Sequence, residues 1–205
     1  MAVVITVAQQ KGGTGKTTLA ANIAAAFAAD CRVAVLDIDP QKTLVRWIGL
    51  RGDRPPALTF SDLSGWRLAG ELDRLRDSHD MVVIDSPPRI DTDARLAIRE
   101  ASLVLVPVQP SPPDLWAAEG TLALATAERR PARLVRNRVP AASRLRTQIE
   151  SEIAARSWPL LSTTLGNRAG FAMAFAAGLG ITEASPRSVA ANEMRALIAE
   201  LRELT

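Results

Sequence analysis

Ala2-Val3-Val4-Ile5-Thr6-Val7-Ala8-Gln9-Gln10-Lys11-Gly12-Gly13-Thr14-Gly15-Lys16-Thr17-Thr18 opens on a near-continuous apolar, β-branched run and closes on a glycine-rich turn carrying two lysines. An apolar run without polar alternation reads as a strand buried on both faces of a parallel sheet. The residues that follow, Thr17–Ala29, are rich in alanine and read as a helix. The segment Lys11–Thr18 therefore sits between a buried strand and a helix start. Gly12, Gly13 and Gly15 let the backbone turn tightly, with amide groups facing inward, and the helix adds its positive dipole end. In that setting Lys16 would reach the β- and γ-phosphates of a nucleotide, and the Thr17 hydroxyl would bind Mg²⁺. The common pattern G-x-x-x-x-G-K-[ST] is not fully met, because Gln10 occupies its first glycine position. What stands here is K-G-G-x-G-K-[ST], with an added lysine, Lys11, at its head.

Working outward, apolar runs alternate with helical patterns. Strands are predicted at Arg32–Asp37, Met81–Ile84, Leu103–Val108 and Arg133–Val139. Helices are predicted at Gln41–Ile48, Gly65–Asp77, Asp91–Arg99, Pro113–Glu128, Ala141–Ile153, Arg168–Ala177 and Arg187–Leu204, with a loop over Gly49–Ala57. Such alternation predicts an α/β fold, a doubly wound, mainly parallel sheet flanked by helices. Ligands in such sheets bind outside the carboxyl ends of the strands. The glycine loop, the pair Asp37/Asp39 and Asp85 all fall at such ends and should meet in space. No repeat or linker divides the chain, and residues 1–205 read as a single domain.

Composition narrows the function classes. The chain has 205 residues, 47% of them apolar and 23% charged, an ordinary globular balance. No apolar run is long enough to span a membrane, and no basic leader precedes the first strand, so a cytoplasmic location is expected. The lone cysteine, Cys31, excludes an internal disulfide and cannot by itself hold zinc or an iron–sulfur cluster. Of 25 basic residues only Lys11, Lys16 and Lys42 are lysine, and two of those lie in the glycine loop. A chain that otherwise uses arginine thus places compact ammonium groups where phosphate would lie. Arg129, Arg130, Arg133, Arg136, Arg138, Arg144 and Arg146 form a basic stretch suited to phosphate backbones read without base contacts.

These motifs together resemble the deviant Walker ATPases of the ParA/MinD family, over essentially the whole chain. Asp37-Ile38-Asp39-Pro40-Gln41 looks like that family's D-x-D-P-Q switch, and Val82-Val83-Ile84-Asp85-Ser86-Pro87-Pro88 like its Walker B strand and D-x-P-P switch. The resemblance implies a P-loop NTPase fold, with ATP and Mg²⁺ as ligands. It assigns Lys11 to the phosphates of a partner subunit in an ATP-bound homodimer, so that Lys11, Lys16 and Asp39 carry the catalysis. Asp39 would orient the attacking water, and Asp37 would support the metal shell and loop geometry. Thr17, Asp37, Asp39 and Asp85 are the expected metal residues. The nucleotide would be held by Lys11, Gly12, Gly13, Thr14, Gly15, Lys16, Thr17 and Thr18, with the Asn137 amide on adenine. The proline-rich Val106–Pro113 would shape the dimer interface.

Relatives of this kind bind DNA non-specifically through basic residues toward the C-terminus, which points to Arg168, Arg187 and Arg195. The function implied is that of a small ParA-like partition ATPase on the nucleoid. It would carry DNA or another large cargo, and a ParB-like or other small partner would stimulate hydrolysis. The chain starts directly on its first strand, so the helix-turn-helix domain of larger relatives is not expected. MinD-like attachment to a membrane is not expected either. The helix Asn192–Leu204 gathers Met194, Leu197, Ile198 and Leu201 on one side but is net negative, which suits packing on its own domain. The alternatives are a MinD-like spatial regulator, an enzyme of the same nucleotide-binding group acting on a small molecule, and an ATP-gated interaction protein with negligible hydrolysis.

Overall fold

The computed structural model describes residues 2–62, 67–89, 91–141 and 144–205. In chain order the elements are β1 (Val3–Val7), α1 (Lys16–Phe27), β2 (Val33–Asp37), α2 (Thr43–Arg51), β3 (Leu58–Ser61) and α3 (Leu68–Ser78). Next come β4 (Met81–Asp85), α4 (Thr92–Arg99), β5 (Leu103–Val108), α5 (Pro112–Ala127), β6 (Ala132–Val139) and α6 (Arg144–Ala155). The last are β7 (Leu160–Gly166), α7 (Ala169–Ala176), α8 (Ile181–Ala184) and α9 (Val189–Leu204). The strands make one seven-stranded sheet in the order β3-β2-β4-β1-β5-β6-β7. Every pairing is parallel. The doubly wound α/β expectation is met. Two strands go beyond the sequence reading: β3 and β7, which form the two edges of the sheet, and the short α8 is likewise new. The first residues of the helix expected over Gly65–Asp77, and positions 142 and 143 of the one expected over Ala141–Ile153, lie outside the described residues.

The period-two geometry of a strand divides the core between the two faces. Ile5, Val7, Val33, Val35, Met81, Val83, Leu103 and Leu105 face the layer of α1, α2, α7, α8 and α9. Their alternates meet α3 and α4 on one half of the opposite face (Val4, Ala34, Leu36, Val82, Ile84) and α5 and α6 on the other (Val104, Val106). Each such side chain, fully buried, contributes roughly 1.5–3 kcal/mol relative to an exposed one. The apolar face of α9 is covered as expected, with Met194, Leu197, Ile198 and Leu201 all buried. Among the described residues no helix is long and apolar enough to cross a membrane.

Topology then fixes where chemistry can occur. After β4 the chain crosses to the far side of β1 to form β5, so the strand order reverses beside β1. That is the position at which open α/β sheets leave a crevice beyond their carboxyl ends. Register brings the strand ends level, because Val7 pairs with Asp85 and Asp37 with Asp85.

Candidate functional site

The glycine loop leaves β1 at this crevice and enters α1 at Lys16. Gly13 and Gly15 have φ of 78° and 91°, in the left-handed region where only glycine is unstrained. Gly15 is constrained twice, since a Cβ there would also lie 2.6 Å from Asn137 Nδ2. Gly15 caps α1, and among the described residues no side chain caps its first turn. The amides of that turn are thus available to an anion. Lys16 is 6% exposed, and its Nζ donates to the Lys11 carbonyl at 3.3 Å, spanning the loop from inside. Burial lowers the Lys16 pKa, and the charges of Asp85 and Asp39 oppose that shift.

The acids have distinct tasks. Asp85, at the end of β4, is fully buried, and neither carboxylate oxygen has a hydrogen-bond partner among the described residues. Burial is the main cause pushing its pKa up to about 8; the nearby Thr17 hydroxyl, which lacks the geometry of a full hydrogen bond, and the Lys16 charge act against it, while Asp37 and Asp39 add to it. Asp37, at the end of β2, is engaged on both oxygens. Oδ1 accepts from the Asp39 amide and Oδ2 from the Val45 amide, each at 3.0 Å. The Asp37 carboxylate therefore shapes the switch loop and caps α2 from a distance, the loop role expected of it. Burial raises its pKa and those two amides oppose the rise. Asp39 is 6% exposed, and its Oδ1 accepts from the Gln41 amide at 2.9 Å. Lys42 holds the loop from the other side, donating to the carbonyls of Asp37 at 3.1 Å and Asp62 at 3.2 Å. All three lysines of the chain thus stand at the strand ends.

Two buried carboxylate oxygens without partners, beside a threonine hydroxyl and an uncapped helix, fit a divalent cation arriving with a phosphate. Among the described residues no three His, Cys, Asp or Glu side chains are grouped to hold a metal by themselves. That fits Mg²⁺, which keeps several waters and takes further ligands from substrate phosphates.

Lys11 differs from Lys16. Its side chain is 39% exposed, and Nζ pairs with the fully buried carboxylate of Asp114 on the first turn of α5. Asp114 also accepts from Ser111 Oγ at 2.5 Å and from the Gln109 amide at 3.3 Å. The strand end is tied to the same turn by Gln9, whose Nε2 donates to the carbonyls of Pro107 at 3.3 Å and Asp114 at 3.4 Å. The sequence reading missed Asp114. Its only signal is an acid in the first turn after Ser111-Pro112-Pro113, a pattern that equally marks an ordinary helix start.

Asn137, expected on adenine, lines the cavity beside Thr18 and also holds the loop. Its Nδ2 donates to the Thr14 carbonyl at 2.8 Å, and its Oδ1 accepts from the Arg138 amide at 3.0 Å. The side chain braces the loop. Arg138, also missed, has φ of 51°, and its guanidinium donates to the Gly13 carbonyl at 3.0 Å, beside Gln109 Nε2 at 2.9 Å. Next to Thr18 lies a cavity of about 180 Å³, lined by Leu19, Asn22, Leu165, Phe171 and Met194 as well as Asn137. Its apolar walls suit a flat aromatic ring.

The arginines expected to meet DNA are partly neutralised. Arg168 forms a two-pronged pair with Glu193 at 2.5 and 2.9 Å. Arg195 donates to the Pro186 carbonyl at 2.7 Å and to Asn192 Oδ1 at 2.5 Å. Arg187 is exposed.

Residues 5–181 match the model of the CobQ/CobB/MinD/ParA nucleotide binding domain. The chain belongs to this family. A relative from Halothiobacillus neapolitanus, maintenance of carboxysome distribution protein A, is 30% identical over 207 residues, covering 96% of this chain and 95% of that protein. The chromosome-partitioning ATPase Soj of Thermus thermophilus is 34% identical over 149 residues, covering 58% of this chain and 59% of Soj. In fold the ParA/MinD-type domain is similar to the septum site-determining protein MinD of Pyrococcus horikoshii, solved as a complex with Mg-ADP. There the TM-score is 0.79 at 19% identity, over 100% of this chain and 97% of that one.

Proposed function

We propose that this ParA/MinD-type domain, residues 1–205 acting as one unit, positions a large cargo by cycling between an ATP-bound dimer and a free monomer. The domain is an ATPase with Mg²⁺ as its cofactor. The observation that carries the positioning reading is the contrast between the two loop lysines. Lys16 fills its own loop, so a phosphate chain cradled there already has its ammonium in cis. Lys11 points away, half-exposed, and is held at the mouth by Asp114. A cation in that place can serve a second active site set against the first, as an arginine finger does.

In the mechanism that follows, the inward amides and Lys16 bind the β- and γ-phosphates, and the cavity beside Thr18 takes the base. Thr17 and Asp85, with Asp39 nearby, would hold Mg²⁺, which supplies charge neutralisation on the phosphate oxygens. Asp39, fixed by the Gln41 amide, orients a water toward the γ-phosphate. Lys11 of the opposed subunit leaves Asp114 and stabilises the charge that builds on the transferred phosphoryl group. Hydrolysis removes the γ-phosphate that both subunits grip, and the dimer opens.

The relatives give the class of cargo. One is named for carboxysome distribution and another for chromosome partitioning. We assign this chain a track of non-specific DNA on the nucleoid and a small activating partner that triggers hydrolysis. Arg168, Arg187 and Arg195 of the expected DNA set are all exposed, and Arg187 stands on the loop leading into α9. Size-exclusion chromatography with ADP and with a non-hydrolysable ATP analogue tests the cycle, followed by DNA retention at rising salt. A dimer with the analogue alone, bound to DNA in a salt-sensitive way, is expected. A protein that stays monomeric with the analogue, or binds DNA equally without nucleotide, would overturn the proposal.

A further inference from the structure

At the end of the sheet remote from the glycine loop, where α5 finishes and β6 begins, arginines gather, and the acids nearest them, Glu119 and Glu128, are paired with Arg156 and Arg95. Arg129 and Arg130 follow the last turn of α5, and Arg133 lies at the start of β6. Arg129 and Arg130 are exposed, and Arg129 is held at φ 56°. Neighbouring cations are compensated: Arg95 pairs with Glu128 at 2.5 Å, Arg156 with Glu152 at 2.6 Å and Glu119 at 3.1 Å, and Arg136 with Glu150 at 2.7 Å. Among the described residues Arg129, Arg130 and Arg133 take part in no ion pair, and Arg133 donates only to the Ala132 carbonyl at 2.9 Å.

Beside them opens a groove of about 340 Å³. Arg130 and Arg133 stand on its rim with Glu119, whose carboxylate is paired with Arg156, and Leu122, Ala123, Trp158 and Pro159 make its apolar lining. The Trp158 ring is stacked on by the Arg156 guanidinium at 4.8 Å, which holds the indole in place. A nucleic-acid backbone would use the cations and leave the recessed apolar lining idle. A peptide with carboxylates flanking an apolar side chain uses both, because the apolar anchor is desolvated in the groove while the charges meet at the rim. We propose that this groove docks an acidic segment of a protein partner, with an apolar side chain against Trp158 and Leu122 and carboxylates on Arg130 and Arg133. The site lies at the amino ends of the strands, whereas nucleotide chemistry belongs to their carboxyl ends. It therefore stands apart from the nucleotide crevice.

The test uses the full chain and three fluorescein-labelled probes: a synthetic peptide of glutamates interspersed with leucines, the same peptide with serine for leucine, and a short DNA duplex. Anisotropy should report saturable binding of the glutamate–leucine peptide, about ten-fold or more tighter than either other probe. The double variant R130E/R133E should weaken it at least ten-fold, as should Trp158→Ala, with the basal ATPase rate unchanged. Should the charge reversals disturb folding, R130Q/R133Q together with amide shift mapping gives the same answer, with shifts expected over residues 119–133 and 156–160. The proposal is overturned by no saturable binding, by peptide binding that the arginine changes leave intact, or by a preference for the duplex that those changes abolish.

Discussion

Two lysines five positions apart in one loop meet different physical surroundings, and that difference sets what each substitution should do. Lys16 is buried across the loop, so its loss removes the only ammonium inside the cradle; Lys16→Ala should reduce nucleotide binding below detection in a fluorescent-ADP titration. Lys11 lies outside, and Lys11→Ala should keep ADP affinity within a few-fold while lowering ATP turnover by about a thousand-fold, the scale of an arginine-finger deletion. Equal loss of ADP binding in both variants would assign both lysines to the same subunit's site. Asp85 supplies a pH signature. Its pKa is raised to about 8 in the fold, from near 4 in the unfolded chain, so the folded state binds its proton more tightly. Stability from this group is full below about pH 4 and is lost as pH rises toward 8, at about 1.4 kcal/mol per unit across that window. The nucleotide-free protein should therefore melt progressively lower between pH 5 and 8. Asp85→Asn should flatten that slope and remove the Mg²⁺ dependence of ATP binding. A wild-type melting temperature that rises over this range would contradict the buried, unpaired carboxylate.

Elements explain why some of this was readable in the sequence and some was not. The central strands β1, β2, β4 and β5 are covered on both faces, and continuous apolar runs betray them. The two edge strands lack that cover. In β3 only the last of four residues is buried, and in β7 Ser162, Thr163 and Thr164 interrupt the apolar pattern. A sequence pass looking for buried runs therefore finds the middle of the sheet and loses its borders. The same division holds at the site. Lys11–Thr18, Asp39 and Asp85 follow from strand ends and glycine spacing, which are local. Asp114 and Arg138 act through contacts with Lys11 and Gly13, more than a hundred residues away, which no local pattern encodes. Asn137 is the instructive case, because a strand-ending amide was readable but its partner was not. Its hydrogen bond to Thr14 and its tight approach to Gly15 join β6 to the loop. Asn137→Ala should thus cost about 1–3 kcal/mol of stability, the penalty of an unpaired buried group, and weaken ATP and ADP binding alike. Selective loss of adenine over guanine discrimination, with stability unchanged, would instead assign it the base-contact role alone.

For the molecule as a whole, the proposed dimer would couple the release of Lys11 from Asp114 to the closing of two subunits. Asp114 sits on the first turn of α5, where Gln9 and Lys11 both attach, and Trp116 two residues on is 64% exposed. The chain thus holds the ammonium on a contact that the proposed dimer must break. With Lys11 half-exposed, solvent screens the pair, and about 1 kcal/mol per subunit is a reasonable scale. A dimer breaks two such contacts, so the free-energy difference is about 2 kcal/mol, on the order of a thirty-fold shift in the dimerisation constant. Asp114→Asn keeps an acceptor for Ser111 and removes the charge. It should let the dimer form at lower protein concentration with a non-hydrolysable ATP analogue, read by light scattering, and raise turnover at limiting protein. If Asp114 instead guides Lys11 to the opposed phosphates, the same change would weaken the dimer and slow hydrolysis. The sign of one measured shift therefore separates a restraining contact from a guiding one.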